Sequence, residues 1–434
     1  MAQALSDFQP QPAPKVSAAA QAVLQGDFAK EASALAGELS EWRHALHQIP
    51  ELGNNLPKTS AYVQARLQEM GIPFTTLVDG SCVVALIGKG AADAADGTCS
   101  DAAAGHVIML RGDMDALPVA EESGESFAST NGCMHACGHD MHATALLGAA
   151  RLLKAREEQI AAMGGTVKLL FQPGEETFEG VRAAIEDGLL ENPKPQAAFA
   201  MHVNSQSPVG LVLYGSPALS GVWGFSIKLF GKGGHGSSPE ICIDPITAGV
   251  HVHLALQEIM AREVAAAKEV SLTIGKFQGG AAANVIPDSC IVEGTLRCFD
   301  PELLEALKGR IAEVVHGVAA TYRVGCTVET LSDVPPLVLD DAMTKAALGY
   351  VGAELPQSTL LPLFHAMASE DFALISERIP SAYFTVGAAA QDTDEHFAQH
   401  HPRARFDDAE LPLGAAAYAA VALGWLADQK TSEE

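Results

Sequence analysis

The sequence is poor in positive charge. Its 434 residues contain 27 Lys and Arg against 53 Asp and Glu, which gives a formal net charge of −26 at pH 7. A surface this acidic repels nucleic-acid phosphates and anionic lipid headgroups. We therefore expect neither a nucleic acid nor a membrane among the partners of this chain.

The sequence also lacks long apolar runs and an export signal. No uncharged apolar stretch reaches the roughly 18 residues of an ordinary transmembrane helix. The beginning, MAQALSDFQPQPAPKVSAAA, has no basic segment followed by an apolar one. The eight Cys are too scattered for a disulfide scaffold, which favours a reducing compartment. Together these absences predict a cytoplasmic location.

The sequence does contain enough apolar material for more than one folded domain. Hydrophobic residues make up 48% of the chain and charged residues only 18%, a balance typical of chains that fold. Residues 1 to about 30 are predicted to form a loose leader rich in Pro and Ala. Over residues 31–218, buried-strand patterns alternate with helical periodicity, which predicts an α/β layered domain.

The pattern changes between residues 219 and 335. Four strand-like runs and two amphipathic helices follow one another there in the order βαββαβ. This order is that of the split βαβ, or ferredoxin-like, arrangement. Helix–strand alternation returns over residues 336–434, so we interpret 219–335 as a small domain inserted into a larger one.

The densest cluster of metal-binding side chains is MHACGHDMH at residues 134–142. Cys137 and His139 are donor types suited to zinc or a similar transition metal. Gly138 between them permits the backbone to turn so that both side chains converge. Alone, this cluster only slightly favours a functional metal site over a structural zinc site or a buried polar core.

Further donor residues follow other predicted strands. RGDMDALP contains Asp113 and Asp115, FQPGEE ends in Glu175 and Glu176, and AMHV closes a strand with His202. Open α/β sheets build their sites at the carboxyl ends of strands. We therefore predict one metal centre at this edge, where one Glu ligates the metal and its neighbour faces a bound water.

Taken in order, the motifs of this chain resemble those of a known enzyme family. LRGDMDALP, HACGHDMHAT, FQPGEE, GKGGHGSSP, NVIP, GTLR, SEDF and HHPRARF span nearly the whole chain. They resemble the hippurate hydrolase and N-acyl-L-amino-acid amidohydrolase branch of the aminoacylase and carboxypeptidase family of dinuclear metallohydrolases. The resemblance implies a zinc-peptidase-like three-layer catalytic domain with an inserted ferredoxin-like lid, through which such enzymes often form homodimers. It also implies two divalent metal ions, zinc first, with manganese, cobalt or nickel as alternatives.

The resemblance implies a set of metal ligands, namely Cys137, His139, Glu176, His202 and His400. The last assignment rests on HHPRARF, in which the spacing from Pro402 to Phe406 is longer than is usual in the family. His401 therefore stays an alternative to His400.

Other residues would support these ligands or act on the substrate. Asp113, Asp115, Asp140 and His142 would orient the ligands without binding the metal. Glu175 would be the general base, which accepts a proton from the attacking water and passes it to the departing nitrogen. The reaction implied is hydrolysis of the amide bond of N-acyl-L-amino acids, either hippurate-like or N-acetyl substrates.

The remaining assignments by resemblance concern the inserted domain and the SEDF motif. His235 would stabilise the oxyanion, in the active site of a partner subunit, although a surface His in a Gly-rich loop is the plainer interpretation. Asn284 and Arg297 would hold the free carboxylate of the substrate, unless Arg297 pairs with a structural acid. Glu370 is expected near the site, without an assigned role.

Three other functions stay open at this point. A dipeptidase or carboxypeptidase would use the same dinuclear site on a peptide bond. A different enzyme class would use Cys137 as its nucleophile. A non-catalytic metal-binding protein would have a metal site closed to water.

Overall fold

The computed structural model describes residues 9–94, 98–362 and 365–432. Within these ranges the chain divides into two compact units, each with its own packing. Unit 2 comprises Leu219–Leu337 and His365–Ala373, and unit 1 comprises the other described residues. The segment His365–Ala373, which carries SEDF, was predicted from the sequence to belong to the larger domain, residues 336–434.

The described chain contains both β-strands and α-helices. The strands are β1 (Phe74–Leu77), β2 (Cys82–Gly88), β3 (His106–Asp113), β4 (Gly165–Gln172), β5 (Ala197–Asn204), β6 (Leu211–Leu213), β7 (Gly221–Phe230), β8 (Gly234–His235), β9 (Val270–Gly279), β10 (Val285–Ile286), β11 (Ser289–Cys298), β12 (Gly325–Val334), β13 (Thr359–Leu361) and β14 (Ser381–Gly387). The α-helices are α1 (Ala18–Val23), α2 (Asp27–Ala34), α3 (Ala36–His47), α4 (Pro57–Glu69), α5 (Asp101–Ala104), α6 (His139–Lys154), α7 (Glu157–Ala162), α8 (Gly180–Glu186), α9 (Pro245–Arg262), α10 (Pro301–Tyr322), α11 (Asp341–Glu354), α12 (Ala373–Ser376) and α13 (Glu410–Ser432).

Unit 1 is built on a mixed sheet with the strand order β1-β2-β4-β3-β5-β14-β6-β13. Strands β4, β3, β5 and β14 run parallel to one another, whereas β2 is antiparallel to β4 and β6 to β14. Every residue of β2 and β4 is buried, as expected for apolar runs in a sheet covered on both faces. The carboxyl ends of β4, β3 and β5 therefore lie side by side at one edge. The predicted α/β class is confirmed.

The last helix, α13, is a core element of unit 1. A Cβ added to Gly148 of α6 would lie 2.9 Å from the Ala415 Cβ of α13, so the two helices are in close contact. By length and composition α13 is the single helix of the described chain that could cross a membrane, but 94% of its most apolar window is buried. Such burial is typical of a core helix.

The N-terminal segment differs from the prediction. Leu24 and Phe28 are buried against the core of unit 1. The Glu354 carboxylate of α11, only 1% exposed, accepts hydrogen bonds from two backbone N–H groups of this segment, at 3.0 and 3.1 Å. The prediction of a loose leader is therefore wrong for residues 9–30, because apolar residues four apart give its helices a buried face. Residues 1–8 lie outside the described chain.

Unit 2 has the predicted βαββαβ order. Its larger sheet has the antiparallel order β12-β7-β11-β9, and α9 and α10 pack on that sheet. Both helices begin with an Asp whose side chain accepts a backbone N–H, Asp244 for α9 and Asp300 for α10, followed by Pro at the first helical position. The ferredoxin-like arrangement is confirmed, and β8 and β10 form a separate small ribbon.

Candidate metal centre

Three neighbouring strands of unit 1 bring polar side chains to one edge of the sheet. β3 ends at Asp113, β4 is followed by Glu175 and Glu176, and β5 carries His202 near its end. Because β3 runs parallel to both β4 and β5, the carboxyl ends of the three strands place these side chains at the same edge of the sheet.

Gly138 positions Cys137 and His139 at this edge. It immediately precedes α6 with a φ of 92°, in the left-handed region that residues with a Cβ rarely adopt. A Cβ at this position would lie 2.4 Å from Val203 Cγ2 and 3.0 Å from the Phe406 ring. Only glycine fits, and the sharp turn presents the thiol and the imidazole from either side of it.

The five predicted ligands form two overlapping groups of donor atoms within the described chain. Cys137, His139 and His202 have donor atoms within 4.8 Å of one another, as do Cys137, Glu176 and His400. The Cys137 Sγ lies 3.5 Å from His202 Nε2, and Glu176 Oε1 lies 3.4 Å from His400 Nε2. Two groups that share one thiol are suited to two neighbouring divalent ions.

Two of these donor atoms are buried without a hydrogen-bond partner among the described residues, namely His139 Nε2 and Glu176 Oε1. They face each other across 3.8 Å. Buried polar atoms are nearly always paired, because an unpaired one loses its hydration without compensation. A cation between the two atoms would satisfy both, so these residues fit a metal ion.

Asp115 orients both His139 and the turn that carries the two glutamates. Its Oδ1 lies 3.2 Å from His139 Nδ1 and accepts a hydrogen bond from Glu175 N at 3.1 Å. Its Oδ2 accepts one from Glu176 N at 3.1 Å. With Nδ1 donating to this carboxylate, the neutral His139 ring would present its Nε2 lone pair to a bound metal ion.

Asp113, at the end of β3, is a second carboxylate beside the His139 imidazole. Burial raises the pKa of Asp113, but the Arg111 guanidinium, 2.8 Å away, and the imidazoles of His139 and His142 outweigh burial and hold that pKa well below its usual range. His142 contacts Asp113 through Nδ1 and accepts a hydrogen bond from Val203 N through Nε2, at 2.9 Å. His142 thus connects β3 to β5.

The Cys137 thiol is poorly suited to act as a nucleophile. Burial and the carboxylates of Glu176 and Glu175 raise the pKa of Cys137 well above its usual value. A nucleophilic Cys needs the opposite surroundings, in which a nearby cation lowers the thiol pKa. A bound divalent cation would supply that charge and hold the thiolate as a ligand. The surroundings therefore favour a ligand over a nucleophile.

The geometry favours His400 over His401 as a ligand. The His400 N–H donates to Ala136 O at 3.0 Å, so its backbone is joined to the loop before Cys137. The His401 ring instead stacks on Phe397 with centroids 4.4 Å apart, and its Nδ1 accepts a hydrogen bond from Arg403 N. His401 is therefore engaged within its own loop.

His235 and Asn284 belong to unit 2 and are neighbours there. The ribbon of β8 and β10 places His235 opposite Val285, and both predicted residues are exposed. The Nδ1 of His235 accepts a hydrogen bond from the Ser237 N–H at 3.1 Å. Its Nε2 therefore carries the hydrogen in this tautomer and has no hydrogen-bond acceptor among the described residues.

Arg297 and Glu370 also belong to unit 2. Arg297 donates through one terminal nitrogen to Met367 O at 2.8 Å and to Ser369 Oγ at 3.1 Å. None of the described residues provides a carboxylate partner for Arg297, so a structural ion pair is not seen. Glu370 is 2% exposed and accepts a hydrogen bond from the Phe372 N–H at 3.0 Å.

A buried polar network on α3 was not predicted from the sequence. Arg43 Nε and His47 Nδ1 both donate to Asp140 Oδ2, at 3.0 and 2.8 Å, and His47 Nε2 lies 3.1 Å from Glu121 Oε1. Burial lowers the pKa of His47, but the two carboxylates outweigh it and raise that pKa to about 9. Because Asp140 follows His139, this network fixes the beginning of α6. The available signal was two basic residues four apart on the apolar stripe of a helix, where charges are buried only when paired.

Comparisons with known proteins agree with this geometry. The pattern of Peptidase family M20/M25/M40 matches residues 109–424. The chain is 36% identical over 396 residues to the IAA-amino acid hydrolase ILR1-like 4 of Arabidopsis thaliana, a match that covers 90% of this chain and 86% of that protein. It is 35% identical over 381 residues to the N-acetyl-L-cysteine deacetylase of Bacillus subtilis (strain 168), with 87% and 86% covered. A solved Bacillus subtilis protein, described as a dinuclear metal binding peptidase from the M20 family, has a TM-score of 0.73 and 30% identity, with 91% of this chain and 99% of that chain covered. The chain therefore belongs to peptidase family M20/M25/M40.

Proposed function

We propose that this chain is a metal-dependent amidohydrolase that cleaves N-acyl-L-amino acids into a carboxylic acid and a free amino acid. The observation that carries the proposal is Glu175, a buried carboxylate outside the two donor groups that share Cys137. Its Oε2 lies 3.8 Å from His139 Nε2. A site built only to bind metal needs no such second carboxylate. The relatives named for IAA-amino acid hydrolysis and N-acetyl-L-cysteine deacetylation support the substrate class.

The metal ligands in this proposal are Cys137, His139, Glu176, His202 and His400. A mixed set of thiolate, imidazole and carboxylate suits zinc, with manganese, cobalt and nickel as alternatives. When bound, such ions would lower the pKa of a coordinated water towards neutral pH and polarise the substrate carbonyl. The two donor groups that share Cys137 support two divalent ions at this site.

Glu175 acts as the proton carrier. An amide nitrogen is a poor leaving group, so it must gain a proton as the C–N bond breaks. The Glu175 carboxylate accepts the proton of the attacking water and then donates it to that nitrogen. Asp115 holds the Glu175 backbone N–H at 3.1 Å, which keeps the carboxylate in place for both transfers.

The residues of unit 2 complete the proposal. His235 donates its Nε2–H to the developing oxyanion, from the partner subunit of a homodimer. Asn284 and Arg297 hold the carboxylate of the substrate, for which an Arg without an acidic partner among the described residues is well suited. The exposed Val250 and Leu254 of α9 support a dimer contact on this unit. A cytoplasmic location is proposed from the composition alone.

A substitution of Glu175 tests the function. Glu175→Gln keeps the shape but cannot accept a proton, so turnover should fall by about 10²–10⁴-fold while the metal content is unchanged. Glu179→Gln is the matched control, because Glu179 is exposed, directly precedes α8 and makes no side-chain capping bond to that helix. Retention of turnover by the Glu175 variant would exclude this residue as the base.

Metal removal and a substrate panel separate the alternatives. A chelator should abolish hydrolysis and added zinc should restore it, whereas an enzyme with a Cys nucleophile would survive. N-acetyl-amino acids, N-benzoyl-amino acids and dipeptides are then compared on the zinc-loaded protein. Faster cleavage of dipeptides would replace the proposed substrate class with that of a dipeptidase or carboxypeptidase.

A further inference from the structure

The peptide group of Val203 is a junction within the metal centre. Its N–H donates to His142 Nε2 at 2.9 Å. Its carbonyl oxygen accepts two hydrogen bonds, from His202 Nδ1 at 2.7 Å and from Gln399 Nε2 at 2.8 Å. One buried carbonyl is therefore shared by a proposed ligand and by the residue that precedes another, His400.

His400 needs support from its surroundings. Its side chain is 55% exposed, and its backbone has a φ of 67°, in the left-handed region. A residue other than glycine keeps this conformation only where neighbouring contacts impose it.

The loop that carries His400 has side-chain ties to the segment after β5. Ser205 Oγ donates to Phe397 O at 2.7 Å, and Gln206 Nε2 donates to His396 O at 3.3 Å. Both ties lie three or more residues before His400. Gln399, adjacent to His400, donates through Nε2 to Val203 O at 2.8 Å, and its Oε1 accepts a longer hydrogen bond from Ser205 Oγ at 3.4 Å.

We propose that Gln399 is a positioning residue that couples the two donor groups of the metal centre. It fixes the loop of His400 to the same carbonyl that sets the tautomer of His202. A carbonyl oxygen has two lone pairs, so both donors are satisfied at once. Without Gln399, His202 keeps its partner and His400 keeps its backbone bond to Ala136 O, but the loop loses a tie beside His400. The loop must then be ordered further when the metal binds, and that ordering weakens binding. The inference rests on the metal centre of the proposed function.

The test measures metal binding rather than turnover. Metal-free Gln399→Leu and unsubstituted protein are titrated with Zn²⁺ against a competing chelator. One of the two ions should bind at least about 10-fold more weakly to the variant, within the about 10–100-fold range for loss of a group that orients a ligand. Gln206→Leu is the matched control, since it removes a Gln-to-carbonyl bond between the same segments, and it should bind both ions as the unsubstituted protein does.

A second measurement separates positioning from general stability. The visible absorption of Co²⁺-loaded protein depends on ligand geometry, so it should change in Gln399→Leu and not in Gln206→Leu. Thermal unfolding of the metal-free variants should be alike, because Gln399 is partly exposed. Gln399→Met, which also lacks the donor, replaces the Leu variant if that protein does not fold.

Two results would overturn the inference. In one, the Zn²⁺ titration of Gln399→Leu superimposes on that of the unsubstituted protein. In the other, Gln206→Leu weakens binding equally, which would show general loop tethering instead. Failure of the proposed function is recognised separately, as a protein that binds two ions but hydrolyses no N-acyl-amino acid.

Discussion

Substitution of Gly138 by Ala should unfold unit 1 more readily and weaken its metal centre. An L-residue in the left-handed region costs about 1–2 kcal/mol. The new Cβ would also lie 2.4 Å from Val203 Cγ2, and such overpacking costs about 1–3 kcal/mol more. The expected total loss of unfolding free energy is therefore about 2–5 kcal/mol.

Gly132→Ala is the matched control for this prediction. Gly132 lies in the loop before the same motif with a φ of 85°, and an added Cβ there would meet nothing within 4 Å. This variant has the same backbone strain and the same change in the unfolded chain, but no steric overlap. It should lose only about 1–2 kcal/mol.

Urea unfolding of the two metal-free variants measures the difference, because no bound ion then contributes to stability. Zinc content after dialysis measures the consequence for the site, which Gly138→Ala should lose and Gly132→Ala should keep. Equal destabilisation of the two variants would refute the steric argument, since only the overlap distinguishes them.

Three further predictions concern buried carboxylates and one buried histidine. Asp115→Asn replaces one of the two carboxylate oxygens that face the N–H groups of His139, Glu175 and Glu176, so zinc affinity should fall by about 10–100-fold. An unchanged zinc titration would contradict the role of Asp115 in orienting the ligands. Glu354→Gln can accept only one of the two hydrogen bonds from the Gly26 and Ala29 N–H groups, so docking of the N-terminal segment should weaken by about 1–3 kcal/mol. Limited proteolysis of that segment should become faster, and an unaltered cleavage rate would contradict this role of Glu354. The pKa of His47 is raised to about 9 from about 6.5 in an unfolded chain. This difference contributes up to about 3 kcal/mol to the free energy of unfolding. The contribution is complete below a pH of about 6.5 and is lost as the pH rises through about 9. Urea unfolding of the metal-free proteins should show this loss of stability in the unsubstituted protein and not in His47→Gln. An equal loss in the two proteins would assign the pH dependence to another group.

The local motifs of the site could be recognised from the sequence because their chemistry lies within a few residues. Cys137 and His139 flank a glycine, and Glu175 and Glu176 follow an apolar strand, so donor type, spacing and backbone turn are all written locally. The family resemblance that these motifs carry is confirmed by the match over residues 109–424.

Contacts between distant segments could not be predicted in this way. The segment before residue 31 looked like a loose leader, because its apolar residues have meaning only against the surface that covers them. Arg43 and His47 were not singled out in the sequence, because their partner Asp140 lies almost a hundred residues later. A single sequence records no such pairing.

The sequence by itself determined the α/β class, the inserted βαββαβ unit and the types of donor present. Strand and helix periodicity, proline and glycine positions and ligand chemistry are properties of short segments, so they can be read in order along the chain. Only the tertiary structure decided that His400 rather than His401 faces Glu176, and that Val203 joins His202 to Gln399. Those choices depend on how loops about 200 residues apart meet at one sheet edge, and packing of the whole unit sets that meeting.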